Sequence, residues 1–254
     1  MMNAPAARPY YWLAQYYDDF FSQLRSPLDT ARERLLRRIL PSVETACDLA
    51  CGTGTTAVSL AQRGIRTYAL DLSPQMCRLT REKVRRAKVH ANVLRADMLS
   101  FKLPERVNLI TCEGDALNHI PARKDLRSVA RCVARALRPG GYFFFNINTP
   151  IGFRKYWTST VCIERPGVVM VMRSGHSSDA LKAWSDIDLF VRQGTGWQRR
   201  HERVEEVCWT RDEIRHTFLM AGFDQLRAWD AAPFFRDNSM ISPGCYTIYL
   251  ARKG

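Results

Sequence analysis

Cys47-Asp48-Leu49-Ala50-Cys51-Gly52-Thr53-Gly54 is the stretch on which the reading of this chain turns. A short apolar strand ends there in a glycine turn and passes directly into a helix, with Thr55 or Thr56 placed to cap its first turn. Gly52 and Gly54 lack the Cβ atoms that would hold a ligand off the backbone, and the N–H groups at the helix start face the same crevice. A second strand, Thr67-Tyr68-Ala69-Leu70, delivers Asp71 at its carboxyl end, where an acid can accept hydrogen bonds from the two hydroxyls of a ribose.

Two cofactors fit that spacing. Gly52-Thr53-Gly54-Thr55-Thr56-Ala57 followed by Asp71 satisfies a loose dinucleotide fingerprint. Asp48 separates the two, because a carboxylate beside the turn repels a pyrophosphate and favours the ammonium of an amino acid. S-adenosylmethionine is therefore expected over NAD. Asp97, in Arg95-Ala96-Asp97-Met98 after a third apolar strand, adds a carboxylate able to accept from an adenine amine. With Leu137-Arg138-Pro139-Gly140-Gly141 ahead of another strand, residues 43–149 resemble the class I S-adenosylmethionine-dependent methyltransferases.

That resemblance implies an α/β fold: a doubly wound, Rossmann-like, mostly parallel seven-stranded sheet. It also implies cofactor contacts from Asp48, Ala50, Gly52 and Gly54 at the turn, from Asp71, Leu72 and Met76 after the second strand, and from Asp97 and Met98 after the third. In related enzymes a Tyr-Asp pair in an amino-terminal segment closes over the methionine end of the cofactor, which points to Tyr17 and Tyr11.

The rest of the chain supports an α/β core. Strands at 45–50, 66–71, 91–96, 107–112 and 142–147 alternate with helices at 55–63, 74–87 and 124–137, which specifies a parallel sheet with its ligands at the carboxyl ends of the strands. Residues 150–208 break the alternation. Four apolar runs there, joined by Pro166-Gly167, Ser174-Gly175 and Gly194-Thr195-Gly196, read as antiparallel hairpins, an inserted β-layer. Thr210-Arg211-Asp212-Glu213 opens a helix and two final strands complete the sheet. The expected divisions are an aromatic cap and helix at 1–41, the cofactor-binding core at 42–149, a substrate lid at 150–208 and a closing unit at 209–254.

Residues 1–9, with Pro5 and Pro9 among alanines, are expected to be loosely attached. Tyr10 to Phe21 is too aromatic for a linker and is expected to pack as a short helix across the cofactor cleft. Thr30-Ala31-Arg32-Glu33 fits a capping box that opens a separate helix, with Ala31, Leu35, Leu36 and Ile39 forming its apolar stripe. Pro233 to Asn238 is expected to form a mobile loop near the substrate.

Chemistry is expected after the fourth strand, in Thr111-Cys112-Glu113-Gly114-Asp115-Ala116-Leu117-Asn118-His119. Methyl transfer needs a positioned nucleophile and, where that nucleophile is protonated, a base. Cys112 and Glu113 are expected to border the cofactor, and Asp115, Asn118 and His119 to face the methyl group or to fix the loop. His119 is the candidate base, since imidazole titrates near neutrality. The Asn-Pro-Pro-Tyr pattern of methyltransferases acting on nucleobase or glutamine amines is absent.

Composition bounds the partners. The 254 residues carry a formal net charge of +13, which admits nucleic acid as an alternative partner, but the arginines are dispersed over helix faces and form no RNA-binding motif. Eight cysteines make no Cys-x-x-Cys pair and no zinc-spaced cluster, so no metal site is expected and buried, reduced thiols in a cytoplasmic protein are. No apolar run reaches membrane-spanning length. The expected function is methyl transfer to nitrogen or oxygen of a small molecule. Its alternatives are an RNA methyltransferase and a non-catalytic S-adenosylmethionine-binding regulator.

Overall fold

The computed structural model of the chain describes residues 10–235 and 241–254. The expected looseness of residues 1–9 lies outside them, as do residues 236–238 of the expected loop at 233–238.

Five parallel strands form the centre: β1 (Thr45–Leu49), β2 (Arg66–Asp71), β3 (Ala91–Arg95), β4 (Val107–Cys112) and β5 (Leu137–Asn148). β10 (Phe223–Asp230) and β11 (Tyr246–Lys253) complete a seven-stranded sheet in the order β10-β11-β5-β4-β1-β2-β3, with β11 antiparallel to both of its neighbours. The helices α2 (Thr55–Gln62), α3 (Pro74–Arg86), α4 (Leu126–Ala136) and α6 (Arg211–Met220) cover it. β1 is buried along its whole length, and Phe143, Phe144 and Phe145 of β5 are buried on both sides of the sheet, as central parallel strands require. The parallel arrangement brings the carboxyl ends of β1, β2, β4 and β5 to one edge.

Between β5 and α6 the chain forms a short helix, α5 (Pro150–Tyr156), and then a second sheet. Thr149 caps α5 and Pro150 supplies its first position, a start signal that the strand-like composition downstream obscured. The second sheet is antiparallel: β6 (Thr160–Arg165), β7 (Val168–His176), β8 (Lys182–Gln193) and β9 (Gly196–Val207) lie in sequence order. Ser174-Gly175 is not a turn. Both residues lie within β7, where a Cβ at Gly175 would come 2.7 Å from the Trp184 ring, so the glycine makes room for the indole across the strand. The chain turns instead at 177–181, closed by Ser177 N–H to the Lys182 carbonyl at 2.9 Å.

The amino-terminal region also differs from expectation. After a 3-10 turn at Leu13–Tyr16, one continuous helix, α1 (Tyr17–Leu36), runs through Pro27. Thr30 opens no helix; its hydroxyl donates to the Ser26 carbonyl one turn back. Burial explains the continuity: Leu28, Ala31 and Leu36 sit in a core with Val43, Leu109 and Phe144, so packing carries the helix past the proline. At its other end Leu13 and Phe20 pack under the second sheet against Met170, Leu189 and Val204. Phe235 belongs to the α1 core and is 3% exposed, so the expected substrate loop begins on a buried anchor.

No helix among the described residues is long and apolar enough to cross a membrane. Seven cysteines are buried free thiols, while Cys162 on β6 is exposed.

Candidate active site

At the glycine turn, Ala50 and Gly52 both take left-handed backbone (φ 55°). A Cβ at Gly52 would meet nothing within 4 Å, so the space over this residue is open to a ligand. Gly54 serves a different purpose. A Cβ there would come 2.5 Å from Thr80 Cγ2, so this glycine lets α2 approach α3. Gly54 itself occupies the N-cap of α2, and neither threonine caps it. Thr55 Oγ1 accepts from Lys83 Nζ at 2.8 Å, and Thr56 Oγ1 accepts from Arg32 Nη1 at 3.1 Å.

Asp71 stands beside that open space. Its carboxylate accepts the Gly52 N–H at 2.9 Å and the Ser73 N–H at 2.8 Å, one on each oxygen. Burial raises its pKa and these N–H groups oppose the rise. Each oxygen keeps a lone pair for a further donor, which fits the paired hydroxyls of a ribose. Asp48 is buried and accepts from the Thr111 hydroxyl at 2.9 Å. Asp97 accepts the Leu99 N–H at 2.9 Å. Leu72 is exposed after β2, Met76 is buried in the first turn of α3, and Met98 packs on the main core.

Two expected cofactor neighbours are occupied otherwise. Cys112 is fully buried in the sheet core. Glu113 receives both 2.9 and 3.1 Å bonds from Arg32 Nη1, a buried ion pair that ties α1 to the end of β4. Arg32 gave no sequence signal for this role, since it reads as one arginine among many on a helix.

Asp115 and His119 come together with a residue that sequence reading missed. Glu206, near the end of β9, is 3% exposed. Its Oε1 lies 3.9 Å from His119 Nε2, and Asp115 Oδ1 lies 3.8 Å from the same nitrogen. The Asn148 amide donates to the other oxygen of each acid, to Asp115 Oδ2 at 2.8 Å and Glu206 Oε2 at 3.0 Å. One carboxylate oxygen of each acid and an imidazole nitrogen lie within 4.8 Å of one another. Tyr10 closes the group, its hydroxyl 3.0 Å from His119 Nε2 and its ring edge-on to the imidazole. Tyr17 in turn lies edge-on to Tyr10, with ring centroids 5.8 Å apart.

The loop that carries these groups is braced. Asp115 takes a left-handed backbone (φ 52°), and its N–H donates to Asn146 Oδ1, which also accepts the Tyr246 hydroxyl. Asn118 is fully buried. Its amide donates to the Val207 and Asn148 carbonyls and its oxygen accepts the Asn148 N–H, so it stitches the second sheet to the first. Those bonds hold Asn118 in the framework beneath His119. Burial alone would lower the His119 pKa, but the Asp115 and Glu206 carboxylates and a bond to the Glu205 backbone outweigh it and raise it to about 9. Burial and the neighbouring Asp115 push the Glu206 carboxyl upward, opposed by His119.

Residues 46–141 match the family model of a methyltransferase domain. Over that stretch the chain carries a methyltransferase domain. Among curated relatives, the putative methyltransferase YqeM of Bacillus subtilis is 26% identical over 84% of this chain and 86% of its own length. Among solved structures, an S-adenosylmethionine-dependent methyltransferase from Clostridium acetobutylicum superposes with a TM-score of 0.79 at 22% identity, covering 97% of this chain and all of the other. The sugar N-methyltransferase KedS8 of a Streptoalloteichus species gives a TM-score of 0.76 at 18% identity, covering all of this chain and 96% of its own. The methyltransferase fold therefore includes the second sheet as well as the matched domain.

Proposed function

We propose that this methyltransferase transfers a methyl group from S-adenosylmethionine to nitrogen or oxygen of a small-molecule acceptor enclosed between the carboxyl edge of the main sheet and the β-layer. The cluster of Tyr10, Asp115, His119 and Glu206 carries the reading: three separate parts of the chain converge on one half-buried imidazole next to the glycine turn. When bound, S-adenosylmethionine supplies a methyl group on a sulfonium that departs as a neutral thioether. Asp71 holds the ribose hydroxyls, and Gly52 leaves room for the ligand against the turn. The aromatic strap from Tyr10 to Tyr17 and the β-layer exclude water, and the neutral form of His119, which its pKa of about 9 makes the minor one below that pH, takes the acceptor's proton at Nε2.

On this reading residues 42–149 and 209–254 form the transferase body, 150–208 the acceptor lid and 1–41 the cap. A closed chamber suits a small acceptor better than RNA. The arginines that could have formed a nucleic-acid stripe on β9 are engaged: Arg199 pairs with Asp188, Arg203 with Asp186 and Glu205, and Arg200 stacks 4.1 Å over Trp12. The buried free thiols suit the reducing cytoplasm.

Calorimetry with S-adenosylhomocysteine and with NAD tests the cofactor assignment. The first should bind and the second should not. Asp71→Ala should weaken S-adenosylhomocysteine binding by about 1.5–3 kcal/mol, the range for hydrogen bonds to a charged group. Tight NAD binding, or an Asp71→Ala protein that binds S-adenosylhomocysteine normally, would overturn it.

A further inference from the structure

We propose that Glu206 of the β-layer is a specificity-determining residue: together with Asp115 it makes the site select an amine over a hydroxyl, by holding negative charge where the acceptor nitrogen becomes positive. The inference rests on the methyltransferase reading and assigns Glu206 a role within it.

The geometry is that of a receptor for a cation. Asn148 occupies one oxygen of each carboxylate, which turns Asp115 Oδ1 and Glu206 Oε1 toward the same place near His119 Nε2. At 3.8 and 3.9 Å these oxygens are too far from the imidazole for good hydrogen bonds, but one oxygen of each acid and an imidazole nitrogen lie within 4.8 Å of one another, a spread that a nitrogen donating to both acids can bridge. Glu206 is almost completely buried and no arginine or lysine pairs with it among the described residues, so beyond the Asn148 amide its charge has the imidazole and a ligand to offset it. The other groups that face His119 are the Tyr10 hydroxyl from the strap and Asp115 from its own loop. Asp71 at the end of β2 adds a more distant negative charge.

Charge flow then separates the two acceptor classes. An ammonium acceptor first gives a proton to the neutral imidazole, which leaves both carboxylates charged. The freed nitrogen lone pair forms the C–N bond as the C–S bond breaks, its electrons passing to sulfur. Positive charge thus leaves sulfur and appears on nitrogen, between two acids that stabilise it. A hydroxyl acceptor must approach an alkoxide in the same step, and the same acids repel it. Burial and Asp115 hold the Glu206 carboxyl upward, and a cation between the two acids lowers it again, so ammonium binding and ionisation of Glu206 go together.

The test uses the full chain with bound S-adenosylhomocysteine or S-adenosylmethionine, and cyclohexylamine and cyclohexanol as matched probes. NMR titration of the His119 imidazole should give a pKa that falls in Glu206→Gln from about 9 toward the ordinary value and recovers in Glu206→Asp. Cyclohexylammonium should bind the wild-type complex more tightly than cyclohexanol, and Glu206→Gln should cut that preference about tenfold or more. Any methyl transfer should favour the amine, with the variant losing about 10- to 100-fold on the amine and little on the alcohol. An unmoved His119 titration, equal binding of the two probes, or equal loss on both overturns the proposal. If neither probe is methylated, titration and binding still decide it. Failure of S-adenosylhomocysteine to bind is a separate result, which breaks the methyltransferase reading itself.

Discussion

The two halves of the proposed active site are made in different ways. The cofactor side is a backbone construction: Gly52, its N–H, and Asp71 at the end of the next strand, 19 residues away. The acceptor side is assembled from side chains across the whole chain, with Tyr10 meeting His119 over 109 residues and Asn148 meeting Glu206 over 58. A backbone site survives wherever strand, turn and helix recur, so it can be shared by many transferases. A side-chain site depends on how an inserted layer docks, and that is where acceptor choice can vary.

The largest expected separation of the two halves comes from His119→Asn. Removing the imidazole should lower methyl transfer by about 10² to 10⁴, the usual contribution of a general base, while S-adenosylhomocysteine affinity stays within a few-fold of the parent. Single-turnover kinetics with the true acceptor and calorimetry on the same protein read the two quantities. An unchanged rate would remove His119 from the chemistry, and lost cofactor binding would make it a structural residue of both halves.

The same contrast explains what could be read from sequence. The strands and helices of the core carry continuous apolar runs and glycine stops, and β4 falls where the pattern put it, at Val107–Cys112. The capping box at Thr210 is present with both of its bonds. Asp71 could be proposed because its role depends on strand order alone. The sequence pattern assigns Gly54 to the ligand because it cannot tell a glycine that opens space for a cofactor from one that lets Thr80 approach. Glu206 was invisible because it sits in an alternating strand, where Glu202 and Glu206 look like solvated positions yet are the buried ones. Glu202 is spent on the strap, accepting the Trp12 and Leu13 N–H groups at 3.1 Å each. Thr30 misled because a helix start signal lost to tertiary burial.

A second perturbation, of intermediate size, asks whether α1 belongs to the cofactor half. Arg32→Met leaves Glu113 buried without its partner and should destabilise the protein by about 3–5 kcal/mol, as breaking a buried pair does. Arg32→Met with Glu113→Leu removes both charges and should recover most of that loss. Denaturant unfolding of the two proteins is the measurement. A double variant no more stable than the single one would mean that Arg32 acts through Asp29 and Thr56 instead, since it also bonds to both.

The smallest effect is expected where α1 crosses the glycine turn on its solvent side. Asp18 accepts from the Thr53 hydroxyl at 2.7 Å and from Lys83 Nζ at 2.6 Å, and the same ammonium reaches the Thr53 and Thr55 hydroxyls. This network links the strap, the turn and α3, so it could be taken for a clamp that retains the cofactor. Its ions are partly exposed, however, with 30% of the Lys83 side chain and 48% of Asp18 accessible. Water and salt therefore screen the pair, and such pairs contribute about 0.2–1 kcal/mol. Lys83→Met should accordingly change stability by no more than that and S-adenosylhomocysteine affinity by less than about fivefold, with the difference shrinking further at high salt. A larger, salt-resistant loss of affinity would place a side-chain clamp on the cofactor half and erase the distinction between a backbone-built site and a side-chain-built one.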